Sequence, residues 1–331
     1  MRGFKCPYCG TPLAFEQLAC NECRMPAIFD PDKMAMVKSE SARSCSNRDV
    51  IACNWCAAAD GSLCSACSLT RVIPDISNSR NLLLWKRVEE AKRRLLYDLW
   101  RLRLPLCSQQ GMQVGFEILS DEHGPVLTGH RAGLITLNLA EADDVEREAR
   151  RVSFRESYRT LLGHFRHEIG HFYWSVLIDE PQLHAPFRLI FGDETSDYEA
   201  ALTAYYARQD RSYDPAIHIS LYATSHPWED WAETFAHFLH IVATLDSLAG
   251  LPLSLETRAR ETLSDPYLES DFDALLDLWS PLARSINDLN RSLGLAEAYP
   301  FEISPAVRGK LHLVHMALVA FRSREQAVAS A

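Results

Sequence analysis

The stretch 161-LLGHFRHEIGHFYWS-175 decides how this chain is read. Leu161, Leu162, Phe165, Ile169 and Phe172 recur at helical spacing, which predicts an amphipathic helix with a buried apolar face. Within it stands H-E-x-x-H, formed by His167, Glu168 and His171. Residues four apart on a helix are separated by about 40° around its axis, so both histidines project from one face. Neutral imidazole nitrogens suit zinc, and two of them one turn apart can grip one ion. Glu168 stands about 100° round from His167. From there it could take a proton from a water activated at the metal and pass it to a leaving amine. Two histidines do not complete a zinc site, so a further ligand must come from elsewhere in the chain.

The segment 222-YATSHPWEDWAETFAHFLH-240 is the place to look for it. Pro227 is favoured at the first position of a helix. Glu229, Glu233, His237 and His240 then share one stripe, flanked by Trp228, Trp231, Phe235, Phe238 and Leu239. Such polar groups are costly to bury without partners, and a metal with its histidines is a natural partner set. Glu229, Glu233, His226 and His237 are all candidates for the remaining ligand. The form E-x-x-A-acid, Glu229 to Glu233, resembles the third-ligand helix of gluzincin metallopeptidases. That resemblance gives the zinc-binding role to Glu229 and makes Glu233 the acceptor of a ligating histidine's N–H, which fixes its tautomer; the reverse assignment stays open. Tyr222 and His226 are candidate catalytic residues, as donors to the oxyanion of a tetrahedral intermediate, with simple packing as the alternative for each. His164 is expected outside the ligand set, and Asp193, Glu194 and Asp197 as exposed charges on a helix over 193–209.

Nine of the ten cysteines lie in the first 67 residues. In a reducing compartment such clustering points to metal rather than disulfides. Cys6-Pro-Tyr-Cys9 and Cys20-Asn-Glu-Cys23 have the spacing of a zinc ribbon, two C-x-x-C turns making one thiolate cage. The second cluster offers five thiols for four positions. Spacing favours Cys53, Cys56, Cys64 and Cys67, while Cys45 with Cys53 is the other possible first half.

The rest of the chain fits a globular protein of several domains. Of its 331 residues, 47% are hydrophobic and 24% charged, an ordinary balance. No run of 18 apolar residues suggests a membrane span. The opening MRGFKCPYCG lacks the apolar core of a secretory signal, so a cytoplasmic location is expected. Residues 1–110 carry 16 Lys/Arg against 11 Asp/Glu, and residues 111–331 carry 18 against 33. The acidic C-terminal part argues against wrapping nucleic acid, and the mildly basic N-terminal part leaves that option weakly open. Asn78 or Ser79 can cap a helix through 81-NLLLWKRVEEAKRRLLYDLWRLRL-104, ended by Pro105, whose basic face is expected to be solvated. PVLTGH and GLITLNLA, within 125–140, read as a hairpin or two sheet strands. The expected organisation is a zinc-ribbon region at 1–75, a linker helix at 76–106, a catalytic domain at 107–250 and a helical extension at 251–331.

The stretches CPYCG, CNWC, IPDISNSRNLLLW, AKRRLLYDL, RHEIGHFYW, FGDETSDYEAAL and HPWEDWAETFAHFLHI together resemble a bacterial family of zinc-binding metallopeptidases with an N-terminal zinc ribbon. The likeness covers most of the chain. It implies an α+β fold, with the ribbon or ribbons followed by a mostly helical zincin-like domain with a small β-sheet. It implies one catalytic and one or two structural zinc ions, and a peptide or protein substrate. It also implies Cys45, Cys53, Cys64 and Cys67 as the second thiolate set, leaving out Cys56, against the spacing argument. The expected activity is zinc-dependent hydrolysis of peptide bonds with Glu168 as general base. The alternative is a non-catalytic zinc-ribbon interaction protein or nucleic-acid-associated regulator on the same fold.

Overall fold

A computed structural model describes residues 3–154, 156–178, 181–210, 212–251 and 264–329. The fold is α+β, with short strands toward the N-terminus and long helices toward the C-terminus. Two compact units divide the chain. The first runs to Cys107, takes in Gly111–Arg147 and includes the end of a later helix from Asp246. The second holds Ser108–Gln110, Glu148–Leu245 and the C-terminal helices.

In the first unit, β1 (Phe4–Lys5) pairs antiparallel with β2 (Pro12–Leu13), and β3 (Ala27–Asp30) with β4 (Ala35–Lys38). β5 (Arg43–Ser44) pairs with β6 (Cys56–Ala57) around the one-turn helix α1 (Arg48–Ile51). Strands this short do not hold themselves in water. An aromatic cluster holds them: Phe4, Phe15, Phe29 and Trp55 pack ring against ring, with Tyr97 and Trp100 of α2 (Ser79–Arg101). The helix predicted as a linker is therefore part of the ribbon's own core.

Asn78 caps α2 by accepting the Arg80 N–H, as the sequence predicts. The helix stops at Arg101, short of Pro105, where Arg103 turns left-handed at φ 58°. Part of its basic face is solvated, with Arg80, Lys86 and Arg87 exposed, and part is not. Lys92 and Arg93 are buried, Lys92 lies 2.7 Å from the Glu89 carboxylate, and Arg80, Arg87, Arg94 and Arg101 pair with Asp143, Asp144, Glu16 and Asp246. The reason is that α2 packs on more than one side, with Lys92 over the ring of Phe116. That ring belongs to a four-stranded sheet of β7 (Thr70–Val72), β8 (Gly115–Leu119), β9 (Gly129–Arg131) and β10 (Leu134–Asn138), in the order β7-β8-β10-β9. The predicted hairpin is β9 and β10, while β8 runs parallel to β7 and β10.

The second unit is helical. The polar α3 (Asp144–Phe154) precedes α4 (Leu161–Leu177), α5 (Pro181–Phe191), α6 (Tyr198–Ala207), α7 (Pro227–Ala249), α8 (Phe272–Ser292) and α9 (Pro305–Ala329). Phe165, Ile169 and Phe172 of α4 are fully buried, as are Trp231, Phe235 and Leu239 of α7. These faces meet closely because α4 carries Gly170 at the crossing, where the Trp231 indole donates to the Gly170 carbonyl at 2.9 Å. α9 is pinned to the start of α7 by Lys310, whose ammonium lies 2.6 Å from the buried Asp230 carboxylate. The helix expected over 193–209 begins only at Tyr198. Asp193 folds back on the N–H and hydroxyl of Thr195, and Asp197 caps α6 by accepting the Ala200 N–H. Residues 192–197 form instead a strap between α5 and α6.

Candidate metal centres

Thr160 starts α4 by accepting the Gly163 N–H on its hydroxyl, so the helix is in register well before the motif. One turn apart, His167 and His171 turn their rings toward α7, with centroids 4.9 Å apart. The Glu229 Oε2 atom lies 2.9 Å from His167 Nε2 and 3.3 Å from His171 Nε2. Ligands at about 2.0–2.1 Å from one tetrahedral zinc stand roughly 3.3 Å from each other, so this donor set fits the ion. Glu233 lies on the far side of the same ring, its Oε1 2.7 Å from His167 Nδ1 and its Oε2 accepting the Ser220 hydroxyl at 2.6 Å. Glu233 is thus placed to accept an N–H from His167 while leaving Nε2 free to bind.

His167, His171 and Glu229 are buried, Glu229 to 1% exposure, and Glu233 is half-buried. Burial opposes a charged His167, but hydrogen bonds to Glu229 and Glu233 outweigh it and hold the ring well above the usual histidine range. The glutamates answer in kind. Burial would raise both, yet the histidines hold Glu229 well below its ordinary value and His167 pulls Glu233 down to about 2. Glu168 moves the other way, its carboxyl pushed up chiefly by burial, toward the range in which a carboxylate serves as a base near neutral pH.

The remaining sequence candidates fall on both sides of this centre. Tyr222 stands against His167 with ring centroids 5.6 Å apart, and burial keeps its phenol protonated far above the ordinary range. His226 has other duties. Its Nδ1 accepts the Trp228 N–H at 3.1 Å, capping α7, and its Nε2 meets the Ser196 hydroxyl at 2.9 Å. With both ring nitrogens engaged, it has no donor to spare for an oxyanion. His237 contacts the Tyr299 hydroxyl and His240 contacts Arg166, so neither joins the ligand cluster. Asp193, Glu194 and Asp197 are taken up by Thr195, Arg188 and the α6 cap. Spacing did not single out Tyr198, whose hydroxyl donates to Glu229 Oε1 at 2.5 Å; it lies in the helix expected over 193–209 and within the family-like stretch FGDETSDYEAAL, neither of which marks it as functional.

The thiols form two further clusters. In the first, Cys6 and Cys23 sulfurs are 3.6 Å apart and those of Cys9 and Cys20 3.7 Å. In the second, Cys53 lies 3.6 Å from Cys64 and 3.7 Å from Cys67. Sulfurs about 2.3 Å from one tetrahedral zinc are separated by roughly 3.8 Å, whereas a disulfide requires about 2.05 Å. Matching turns support the two halves of the first cage: Gly10 N–H donates to Cys6 O, and Arg24 N–H to Cys20 O. Cys45 completes the second set and accepts the Cys64 N–H at 3.2 Å. The spacing argument for Cys56 is overturned by strand geometry. Cys56 pairs with Ser44 across β5 and β6, so the two share a face, and alternation sends Cys45 to the buried side. Arg93 is 2% exposed, and its Nη1 has no hydrogen-bond partner among the described residues. The neighbouring thiols push and pull on Cys53, Arg93 adds a downward pull, and the net result is a lowered Cys53. Zinc held by four thiolates would carry a net negative charge and so give this buried cation a counter-charge.

Among the described residues no helix is long and apolar enough to cross a membrane. Residues 81–317 match the family described as "Putative zinc-binding metallo-peptidase", and residues 3–78 match a zinc-ribbon domain. Uncharacterized proteins of Mycobacterium tuberculosis and Mycobacterium bovis are similar at 42% identity over 325 residues, covering 95% of this chain and 94% of theirs. No solved structure matches the chain.

Proposed function

As the chain belongs to the zinc-binding metallo-peptidase family and carries an N-terminal zinc ribbon, we propose that it hydrolyses peptide bonds in the manner of the gluzincins, at a centre formed by His167, His171 and Glu229. The observation that carries this reading is the convergence of two imidazole Nε2 atoms and one carboxylate oxygen beside a buried Glu168. Zinc bound there would supply Lewis acidity toward a substrate carbonyl and lower the pKa of a water.

The chain's own residues do the rest. Glu168 takes a proton from the attacking water and returns it to the leaving amine, a role that its raised carboxyl suits. Glu233 accepts the His167 Nδ1–H and so keeps Nε2 directed at the centre. Tyr222 holds its proton and donates to the oxyanion as the carbonyl becomes tetrahedral. His226, proposed from sequence for that task, serves as a cap. The two thiolate clusters are structural zinc sites of the ribbon region, which also offers a surface for a protein partner. A cytoplasmic location suits thiols that gather into metal-binding clusters rather than disulfides.

Five of the basic side chains of α2 stand in ion pairs and Arg93 is buried, which weighs against the rival nucleic-acid reading. The deciding experiment compares wild type with Glu168→Gln on a proteome-derived peptide library, with zinc counted in both. The expected result is cleavage products from wild type alone, with equal zinc contents. Unchanged turnover in the variant removes Glu168 as the base.

A further inference from the structure

Glu229 uses its two oxygens differently. Oε2 faces the histidines, while Oε1 accepts the Tyr198 hydroxyl at 2.5 Å. A carboxylate can bind zinc through one oxygen or through both, and the second mode fills the coordination position that a water or carbonyl needs. Tyr198 is built into place from several directions. It is the first residue of α6, whose start is fixed by the Asp197 cap. Its ring stands 5.2 Å from that of His226 and 5.7 Å from that of Trp228. The strap before it is fastened at both ends. Gly192 leaves α5 at φ 104°, a conformation that favours glycine, and a Cβ there would stand 3.2 Å from Pro227. Ser196 is latched to His226 at 2.9 Å. His226 in turn caps the helix that carries Glu229.

We propose that Tyr198 is a positioning residue of the metal centre: its hydroxyl holds Glu229 as a one-oxygen ligand, and the Ser196–His226 latch keeps that hydroxyl in reach. This rests on the reading of Glu229 as a ligand. Without the hydroxyl, Oε1 either stays buried with no donor or rotates toward the metal, and each outcome changes how the ion is held. Groups that orient a ligand in this way commonly contribute about 10–100-fold in metal affinity.

The test uses the full chain with zinc kept in both thiolate sites and the third site titrated with zinc against a chelator, then reloaded with cobalt(II) for visible spectroscopy. Tyr198→Phe keeps the ring and removes only the hydroxyl. It should raise the dissociation constant of the third site about tenfold, or weaken its cobalt absorption as the coordination number rises; either change supports the proposal. An unchanged spectrum with affinity within about twofold of wild type overturns it. Ser196→Ala touches neither Tyr198 nor Glu229 and removes the hydroxyl half of the latch, leaving the Ser196 carbonyl 3.2 Å from His226 Nε2. It should shift the same readouts in the same direction by a smaller amount, and it carries the test if Tyr198→Phe does not fold. Glu229→Gln separates the two ideas. If that variant keeps wild-type affinity, Glu229 leaves the ligand set and the premise fails. If it loses affinity while Tyr198→Phe and Ser196→Ala do not, only the proposal fails.

Discussion

Gly170 lies so close to Ala232 that a Cβ added to it would stand 3.0 Å from the Ala232 Cα and 3.2 Å from its carbonyl oxygen. The obstacle is backbone, so no rotamer change relieves it. This contact sets the depth at which α4 and α7 cross, and Glu229 and Glu233 lie on either side of Ala232 in the chain.

Replacing Gly170 with alanine therefore pits a gain in helix propensity of about 1 kcal/mol against overpacking of about 1–3 kcal/mol. Overpacking should prevail, because the helices must part by several tenths of an ångström. The expected result is a lower melting temperature together with weaker zinc binding at the histidine centre. A variant as stable as wild type and equally able to bind zinc would show that the crossing has slack.

Glu233 should matter to the metal without touching it. Glu233→Ala leaves His167 Nδ1 without its 2.7 Å acceptor, freeing the ring to adopt the other tautomer or rotate. Zinc affinity at the histidine centre should fall about 10–100-fold, with both thiolate sites still filled. Metal analysis after graded chelator treatment reads this directly. Complete loss of the third zinc even in excess metal would instead make Glu233 a ligand.

Arg93 offers a test of the second thiolate site. Arg93→Met keeps much of the buried volume and removes the charge beside Cys53. Thiolates there lose a favourable partner, so the site should release zinc at lower chelator concentration than in wild type. The first cluster, Cys6, Cys9, Cys20 and Cys23, should be unaffected. Identical release curves for the two proteins would mean that Arg93 does not stabilise the charged cage.

The metal chemistry was legible in the sequence because it depends on short spacings, and the supporting groups were not because they arrive from distant chain. H-E-x-x-H places two side chains by helical geometry alone, and the polar stripe on α7 exposed its need for partners. Ser220 and Tyr198 lie on other segments, and no local pattern aims them at Glu233 and Glu229. Cys56 misled the spacing argument because C-x-x-C counts residues, while a strand assigns faces by alternation. Lys92 and Arg93 of α2 looked solvated because an amphipathic pattern does not reveal that part of the polar side is covered too. β8 was passed over since its parallel partner β10 begins some twenty residues on, with no tight turn to announce the pairing.

His237 gives the second unit a built-in sensitivity to acid. Burial pulls this histidine down to about 4, although the nearby Glu233 carboxylate favours its charged form. In the unfolded chain the same ring titrates near 6.5. Between these values the unfolded state binds a proton that the folded state refuses, so stability is fully present above about pH 6.5 and declines as pH falls toward 4. Each pH unit in that window costs about 1.4 kcal/mol, or roughly 2 kcal/mol between pH 6.5 and 5. A glutamine at 237 does not titrate, so His237→Gln should lose about that much less stability than wild type when urea unfolding at pH 7 is compared with pH 5. Protonation of the zinc-site cysteines and histidines contributes to both proteins and drops out of the difference. Equal losses in the two would mean that His237 is already charged in the folded protein at pH 5, with the Glu233 carboxylate prevailing over burial.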